Sequence, residues 1–173
     1  GVTALLHNGR IVLVADTLVH EWPSEVDLAD IAERSAGVAR SLGIEPRVAF
    51  ASFSNFGYPV SERAEKMHLA PEILDARGVD FEYDGEMTAD VALNPDVMAR
   101  YPFCRLTGPA NILVMPARHS ASISVKMMQE LAGATVIGPI LSGVEKPIQL
   151  CSTNSTSNDI LNMAVVAAAK VGG

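Results

Sequence analysis

Short apolar runs alternate along this chain with stretches in which apolar side chains recur every three or four positions, and that alternation limits the fold more than any other feature. Ile11 to Ala15, Arg47-Val-Ala-Phe-Ala-Ser52, Ile112-Leu-Val-Met115 and Thr135-Val-Ile137 have the length and composition of strands. Between them, Ser24 caps an expected helix reaching about Leu42, with Leu28, Ile31, Ala32, Ser35, Ala36 and Ala39 forming one stripe. Gly43 follows as its stop, where a left-handed residue costs least. Further helices are expected from about Ser61 to Ala76, through Ala117-Arg-His-Ser-Ala121 to near Ala132, and from about Asn158 to Lys170. Strands alternating with helices imply an α/β fold, with a mainly parallel sheet and helices on both faces. One exception lies near the start: Thr3 to Leu6 and Ile11 to Ala15 flank His7-Asn8-Gly9-Arg10, and the Asn-Gly pair predicts an antiparallel hairpin.

Two regions read differently. From Gly78 to Pro109 the pattern weakens, and Asp84-Gly85-Glu86 and Asn94-Pro95 read as breakers, with a short helix expected from Asp96 to Arg100. The last helix is apolar nearly all round at Ile160, Leu161, Met163, Ala164, Val165 and Ala167, so burial on more than one side is expected. The opening residues already read as a strand, which suggests that the chain starts inside a larger fold.

Composition narrows the function classes. With 173 residues, 49% of them hydrophobic and 19% charged, the chain can bury a core. A formal charge of -7, with no basic cluster, leaves nothing to neutralise a phosphate backbone, so nucleic acid is not an expected partner. No apolar run reaches the roughly 18 to 20 residues of a membrane span, and the opening Gly1-Val-Thr-Ala-Leu-Leu lacks the cationic region of a signal peptide. Only Cys104 and Cys151 occur, too few for a disulfide framework; two buried thiols in a reducing cytoplasm are the simpler expectation.

In open α/β sheets, ligands bind beyond the carboxyl ends of strands, where loops lead into helix N-termini. Three loops fit: Ser52-Phe-Ser-Asn-Phe-Gly57, Ala117-Arg-His-Ser-Ala-Ser122 and Ser152-Thr-Asn-Ser-Thr-Ser157. Rich in hydroxyls and amides and poor in carboxylates, they suit a phosphate-bearing ligand, although the same residues also serve as caps and turn formers. The candidate ligand-binding residues are Ser52, Ser54, Asn55, His119, Ser120, Ser122, Ser152, Thr153 and Asp159. Asp159 has two readings, a cap with Thr156 on the last helix or an acid in the site. Asp84 and Glu86 could ligate a hard cation, but a solvated turn is the plainer reading. His7, His20 and His68 lack metal spacing, and no metal site is expected. No Gly-x-Gly-x-x-Gly, phosphate-loop or Gly-x-Ser-x-Gly pattern occurs.

Several stretches, in order and spacing, resemble phosphotransacetylases: Ile44-Glu-Pro-Arg-Val-Ala49 leading to Ser52-Phe-Ser54, Asp84-Gly-Glu with Ala89-Asp90, Gly138-Pro-Ile-Leu-Ser-Gly143 and Lys146-Pro147. Asp84-Gly-Glu-Met-Thr-Ala-Asp-Val-Ala-Leu-Asn-Pro95, Arg105-Leu-Thr-Gly-Pro-Ala-Asn111 and Asp159-Ile-Leu-Asn-Met-Ala164 are more similar to the phosphotransacetylase-like C-terminal domain of bacterial NADP-dependent malic enzymes. The resemblance implies the C-terminal half of a two-lobed fold related to isocitrate dehydrogenase. About 1–145 would form one lobe and about 146–173 would close part of the other, with CoA and acetyl phosphate bound between lobes.

Departures from the family pattern then bear on activity. Active members carry Asp-Leu-Ser-Arg-Gly after the Lys-Pro pair; the stretch here is Leu150-Cys-Ser-Thr-Asn154, with Thr153 in the arginine's place. Ser152 and Asp159 keep the family's serine and acid, and would be the catalytic pair if the site were active. A second arginine is matched by Glu130, the Asn-Thr-Gly-Asn loop by His119-Ser-Ala-Ser122, and a frequent cysteine by Thr17. An acid in place of a cation repels a phosphoryl group. The resemblance therefore implies a noncatalytic domain that senses acetyl-CoA or an acyl phosphate for an upstream malic enzyme domain, which would hold NADP and a divalent metal. No cofactor is expected in this stretch. An active phosphate acetyltransferase, or a platform for homo-oligomer assembly, are the alternatives.

Overall fold

The computed structural model describes residues 1–146 and 148–169. The chain forms β1 (Val2–His7), β2 (Arg10–Ala15), α1 (Glu25–Ser41), β3 (Arg47–Ala51), α2 (Glu62–Arg77), β4 (Glu82–Met87), α3 (Ala89–Leu93), α4 (Pro95–Met98), β5 (Ile112–Val114), α5 (Arg118–Ala132), β6 (Thr135–Ile140) and α6 (Ser157–Ala169). The strands make one sheet in the order β4-β3-β5-β2-β1-β6. β4, β3, β5 and β2 run parallel, and β1 is antiparallel to both β2 and β6, so β1 alone opposes the rest. The mainly parallel α/β reading holds. The hairpin forms with His7 opposite Arg10, and Asn8 and Gly9 both take positive φ, the pair of angles that matches strand twist.

Alternation along the strands sends side chains to two faces. On one face Leu13, Val48, Phe50, Ile112 and Val114 pack beneath Leu28, Ile31 and Ala32 of α1 and Met67 and Leu74 of α2. The cap expected at Ser24 forms in full: its hydroxyl accepts from the Asp27 N–H while the Asp27 carboxylate accepts from the Ser24 N–H. On the opposite face the cover is divided. Ala49 and Leu113 pack with Val91 and Ala92 of α3, whereas Leu5 and Val14 pack with Ala121 of α5.

Three expectations need correction. Asp84-Gly85-Glu86 is no solvated turn but the middle of edge strand β4, with Glu86 only 1% exposed. Its polarity misleads because every charge is answered nearby: Asp84 accepts the backbone N–H groups of Gly85 and Arg105. Gly85 pairs with Phe50, and a Cβ there would meet the Phe50 Cβ at 2.9 Å, so only glycine lets β4 close on β3. Secondly, α6 is buried only at Met163; Ile160, Leu161 and Val165 lie at the surface, because a single stripe of this helix reaches the core. The expected end of that helix at Lys170 falls outside the described residues, as does Pro147. Thirdly, Cys151 is exposed, and Cys104 is half-buried, its thiol pushed up by burial.

Phe50 fills the centre of the larger core and is fully buried. Phe50→Ala is expected to lower stability by about 3–5 kcal/mol, measured by denaturant unfolding, because transfer energy is lost and a cavity remains.

Candidate functional site

The divided cover leaves a cleft of about 1230 Å³ over β1, β2 and β5, between α3 and α5. Its floor is Leu5, Val12, Val14 and Leu113. At the carboxyl ends of β3 and β5 its wall is Ser52, Phe53, Pro116 and Ala117, joined by His119 and Ser120 from the first turn of α5. His7 and Arg10 of the hairpin stand at the opposite end. The cleft thus spans roughly the length of β2, about 17 Å at the usual rise per strand residue. Among the described residues no Asp or Glu lines it, in a chain of net charge -7.

Cationic and dipolar groups gather at its carboxyl-end wall. Lys66 reaches in from α2 and donates to the carbonyls of Pro23 and Pro116, both at 3.0 Å, tying together the two loops that flank the wall. Burial lowers its ammonium below the ordinary lysine range, and Glu25 partly offsets this. Trp22 stacks near His119, ring centroids 5.7 Å apart, with the Lys66 ammonium 5.9 Å from the Trp22 ring. Ala117, the N-cap of α5, supplies no side-chain cap, so backbone N–H groups of that first turn have no side-chain acceptor there. Ser120 spends its hydroxyl on the Ala117 carbonyl at 2.7 Å.

Two buried carboxylates shape the surrounding loops from below. Glu86 accepts the Ser54 hydroxyl at 2.7 Å and the Gly57 N–H at 2.9 Å on one oxygen, and pairs with His68 Nδ1 at 3.1 Å through the other. Ser54 in turn contacts the Ser52 hydroxyl at 3.0 Å, so the chain of bonds ends at the cleft wall. Asp16, at the carboxyl end of β2, accepts the N–H groups of Leu18, Val19 and His20 and contacts His20 Nδ1 at 2.8 Å. Burial would raise its pKa, and the backbone bonds from His20 and Leu18 oppose that rise.

The structure therefore brings two of the three proposed loops to one cleft. Ser52, His119 and Ser120 line it; Ser54 is buried under it on Glu86, and Asn55 accepts the Thr88 N–H and hydroxyl. Ser122 points elsewhere on α5 and is not in the lining. The third loop contributes no lining residue. Ser152 and Thr153 are exposed, with Ser152 accepting the Asn154 N–H. Asp159 forms a reciprocal cap with Thr156, and the bonds from the Thr156 backbone and hydroxyl lower its pKa. Lys66, Trp22, His7 and Arg10 are additions that no local motif marks, since they meet only through the fold. Asp16 and Glu86 act through burial and the donors that the fold brings to them, which no local pattern marks.

A family model described as phosphate acetyl/butaryl transferase matches residues 1–168, and the chain belongs to that family. It is 58% identical over 172 residues to an NADP-dependent malic enzyme of Rhizobium meliloti, covering 99% of this chain and 23% of that protein. It is 33% identical over 171 residues to a phosphate acetyltransferase of Bacillus subtilis, covering 98% of this chain and 53% of that one. A phosphotransacetylase structure from Streptococcus pyogenes superposes with a TM-score of 0.92 at 32% identity, over 98% of this chain and 53% of that chain. The chain thus spans about a quarter of the malic enzymes and about half of the acetyltransferases it matches.

Glu86→Ala removes the acceptor of the exposed Gly57 N–H and leaves the buried Ser54 hydroxyl only Ser52 as a partner, at a cost of about 1–3 kcal/mol in all. Hydrogen exchange should show faster protection loss at Ser54 to Gly57 than at the core strands; unchanged exchange there would remove the organising role of Glu86.

Proposed function

We propose that this chain is the phosphotransacetylase-like regulatory part of a malic enzyme, binding acetyl-CoA or a related acyl ligand to set the activity of a malate-decarboxylating domain elsewhere in the same protein. One observation carries the reading: an elongated apolar cleft with Lys66, His119, His7 and Arg10 around it and, among the described residues, no acid in its lining. An apolar floor suits an acyl or pantetheine-like body, and Lys66 and Arg10 with the first turn of α5 suit its phosphates. The similarity to malic enzymes over nearly the whole chain supports the assignment of the partner domain. NADP and a divalent metal would belong to that domain, and the chain's own residues would hold neither.

Noncatalytic binding is favoured by what stands at the family's arginine positions. Thr153 is an exposed neutral residue, and Glu130 is an exposed acid on α5. Neither can offer the bidentate cationic bonding that a transferring phosphoryl group requires. The division into lobes of about 1–145 and 146–173 fits the exposed apolar face of α6, which would lie against the remainder of the two-lobed fold. Regulation then requires a ligand affinity that differs between two states of the whole protein.

Ser152 and Asp159, together with the phosphate acetyltransferase relatives, favour an active acyltransferase as the second reading. Steady-state kinetics separate the two. The whole protein that contains this chain should change its malate kinetics on addition of acetyl-CoA, a version of it lacking residues 1–173 should not, and neither should form acetyl-CoA from acetyl phosphate and CoA. An equal response of both versions would end the regulatory reading, and turnover of acetyl phosphate would install the second.

A further inference from the structure

The parallel strands β2, β3 and β5 begin together at the end of the sheet opposite Ser52 and His119, and a second, smaller pocket of about 380 Å³ lies there. That volume falls at the low end of the usual range for small-molecule sites. Its walls are the hairpin at Arg10 and Ile11, the approach to β3 at Ile44 and Arg47, and the segment from Pro109 to Asn111. β6 runs parallel to β2, since both oppose β1, and so leaves the sheet at the other end, beside Ser52 and His119. The pocket is therefore remote from the segment that leads to α6, and its walls come from three parts of this chain.

Two guanidiniums share it, each held by a single bond. Arg47 donates through Nε to the Pro109 carbonyl at 2.9 Å, and Arg10 donates to the Leu93 carbonyl at 3.1 Å. Among the described residues neither meets a carboxylate, whereas Arg40, Arg77, Arg105 and Arg118 all do. The acids nearby are already engaged. Glu82, the register partner of Arg47 on β4, accepts the Thr107 N–H and hydroxyl at 2.9 and 2.7 Å, and Glu45 faces Arg40 at 3.8 Å. Two cations at one pocket repel one another, and in a chain of net charge -7 their lack of an acidic partner marks a place for an anion from outside.

We propose that this pocket binds a short-chain carboxylate, its head on the Arg10 and Arg47 guanidiniums and its aliphatic body on Ile11, Ile44 and Ala110. Guanidinium N–H groups match the two oxygens of a carboxylate, and the apolar walls favour a singly charged head over a phosphate dianion, which costs more to desolvate. The site is separate from the large cleft and independent of what that cleft binds. Arg10 borders both, so Arg47, which lines only the small pocket, decides the test.

The test is equilibrium dialysis of butyrate against the whole protein that contains this chain, in phosphate-free buffer of low ionic strength. One saturable site per chain is expected, and Arg47→Gln should weaken it tenfold or more. Ile44→Asp keeps both arginines, adds an anion to the wall and should produce a loss of similar size, which separates lost binding from a folding defect at position 47. Butyramide, with the same body and no charge, should not compete. Absence of a saturable butyrate site, equal affinity in the three forms, competition by butyramide, or tighter binding of inorganic phosphate than of butyrate would each overturn the proposal.

Discussion

A sheet whose strands are apolar on both sides must be covered on both sides, and this chain meets that demand unevenly. Helices α1 and α2 seal one face over Phe50, Val48 and Ile112. On the other, α3 and α5 stand apart and leave Leu5, Val12, Val14 and Leu113 as the floor of a cleft. Burial of the first face supplies most of the apolar contact, which allows the second to remain open. The cleft is thus a consequence of which helices the sequence provides, and its lining follows from strand alternation.

The edges of that cleft are held by polar groups that the core hides. Glu86 and Asp16 lie at or near the carboxyl ends of their strands, buried, and each collects donors from the loop that follows or faces it. Lys66 performs the complementary task, with its ammonium bonded to two loop carbonyls. Buried charges with several hydrogen-bond partners fix loop geometry more tightly than apolar packing does, since breaking one bond leaves the others strained and a polar group orphaned. The wall that presents Ser52, His119 and Ser120 is accordingly a fixed surface.

Much of this architecture was legible from residue patterns. Ser24 with Asp27 marked the start of α1, Asn8-Gly9 marked the hairpin, and the apolar run from Arg47 marked β3. β4 was hidden because Asp84 and Glu86 look like surface acids until their donors, which lie up to 32 positions away in sequence, are known. The exposure of α6 was hidden for the opposite reason. Apolar character reports that a helix will be covered, but not by what, and this chain spans only about half of the acetyltransferases it resembles. For the site, residue type marked the loops at Ser52 and His119, which lie at one cleft, whereas Lys66, Trp22, His7 and Arg10 join them only through tertiary contact.

The central claim is that the apolar cleft beside Lys66 and His119 binds an acyl-CoA without turning it over. Calorimetric titration of acetyl-CoA into the intact chain and its His119→Glu variant tests it most directly. His119 is exposed at the mouth, with the Glu21 carboxylate 3.9 Å from its ring, so the substitution should spare the fold while adding a second anion where the ligand's phosphates would lie. Saturable binding that the variant weakens tenfold or more, about 1.4 kcal/mol, is the predicted result. Absence of heat from the wild-type chain, or equal affinity in the two, would contradict it.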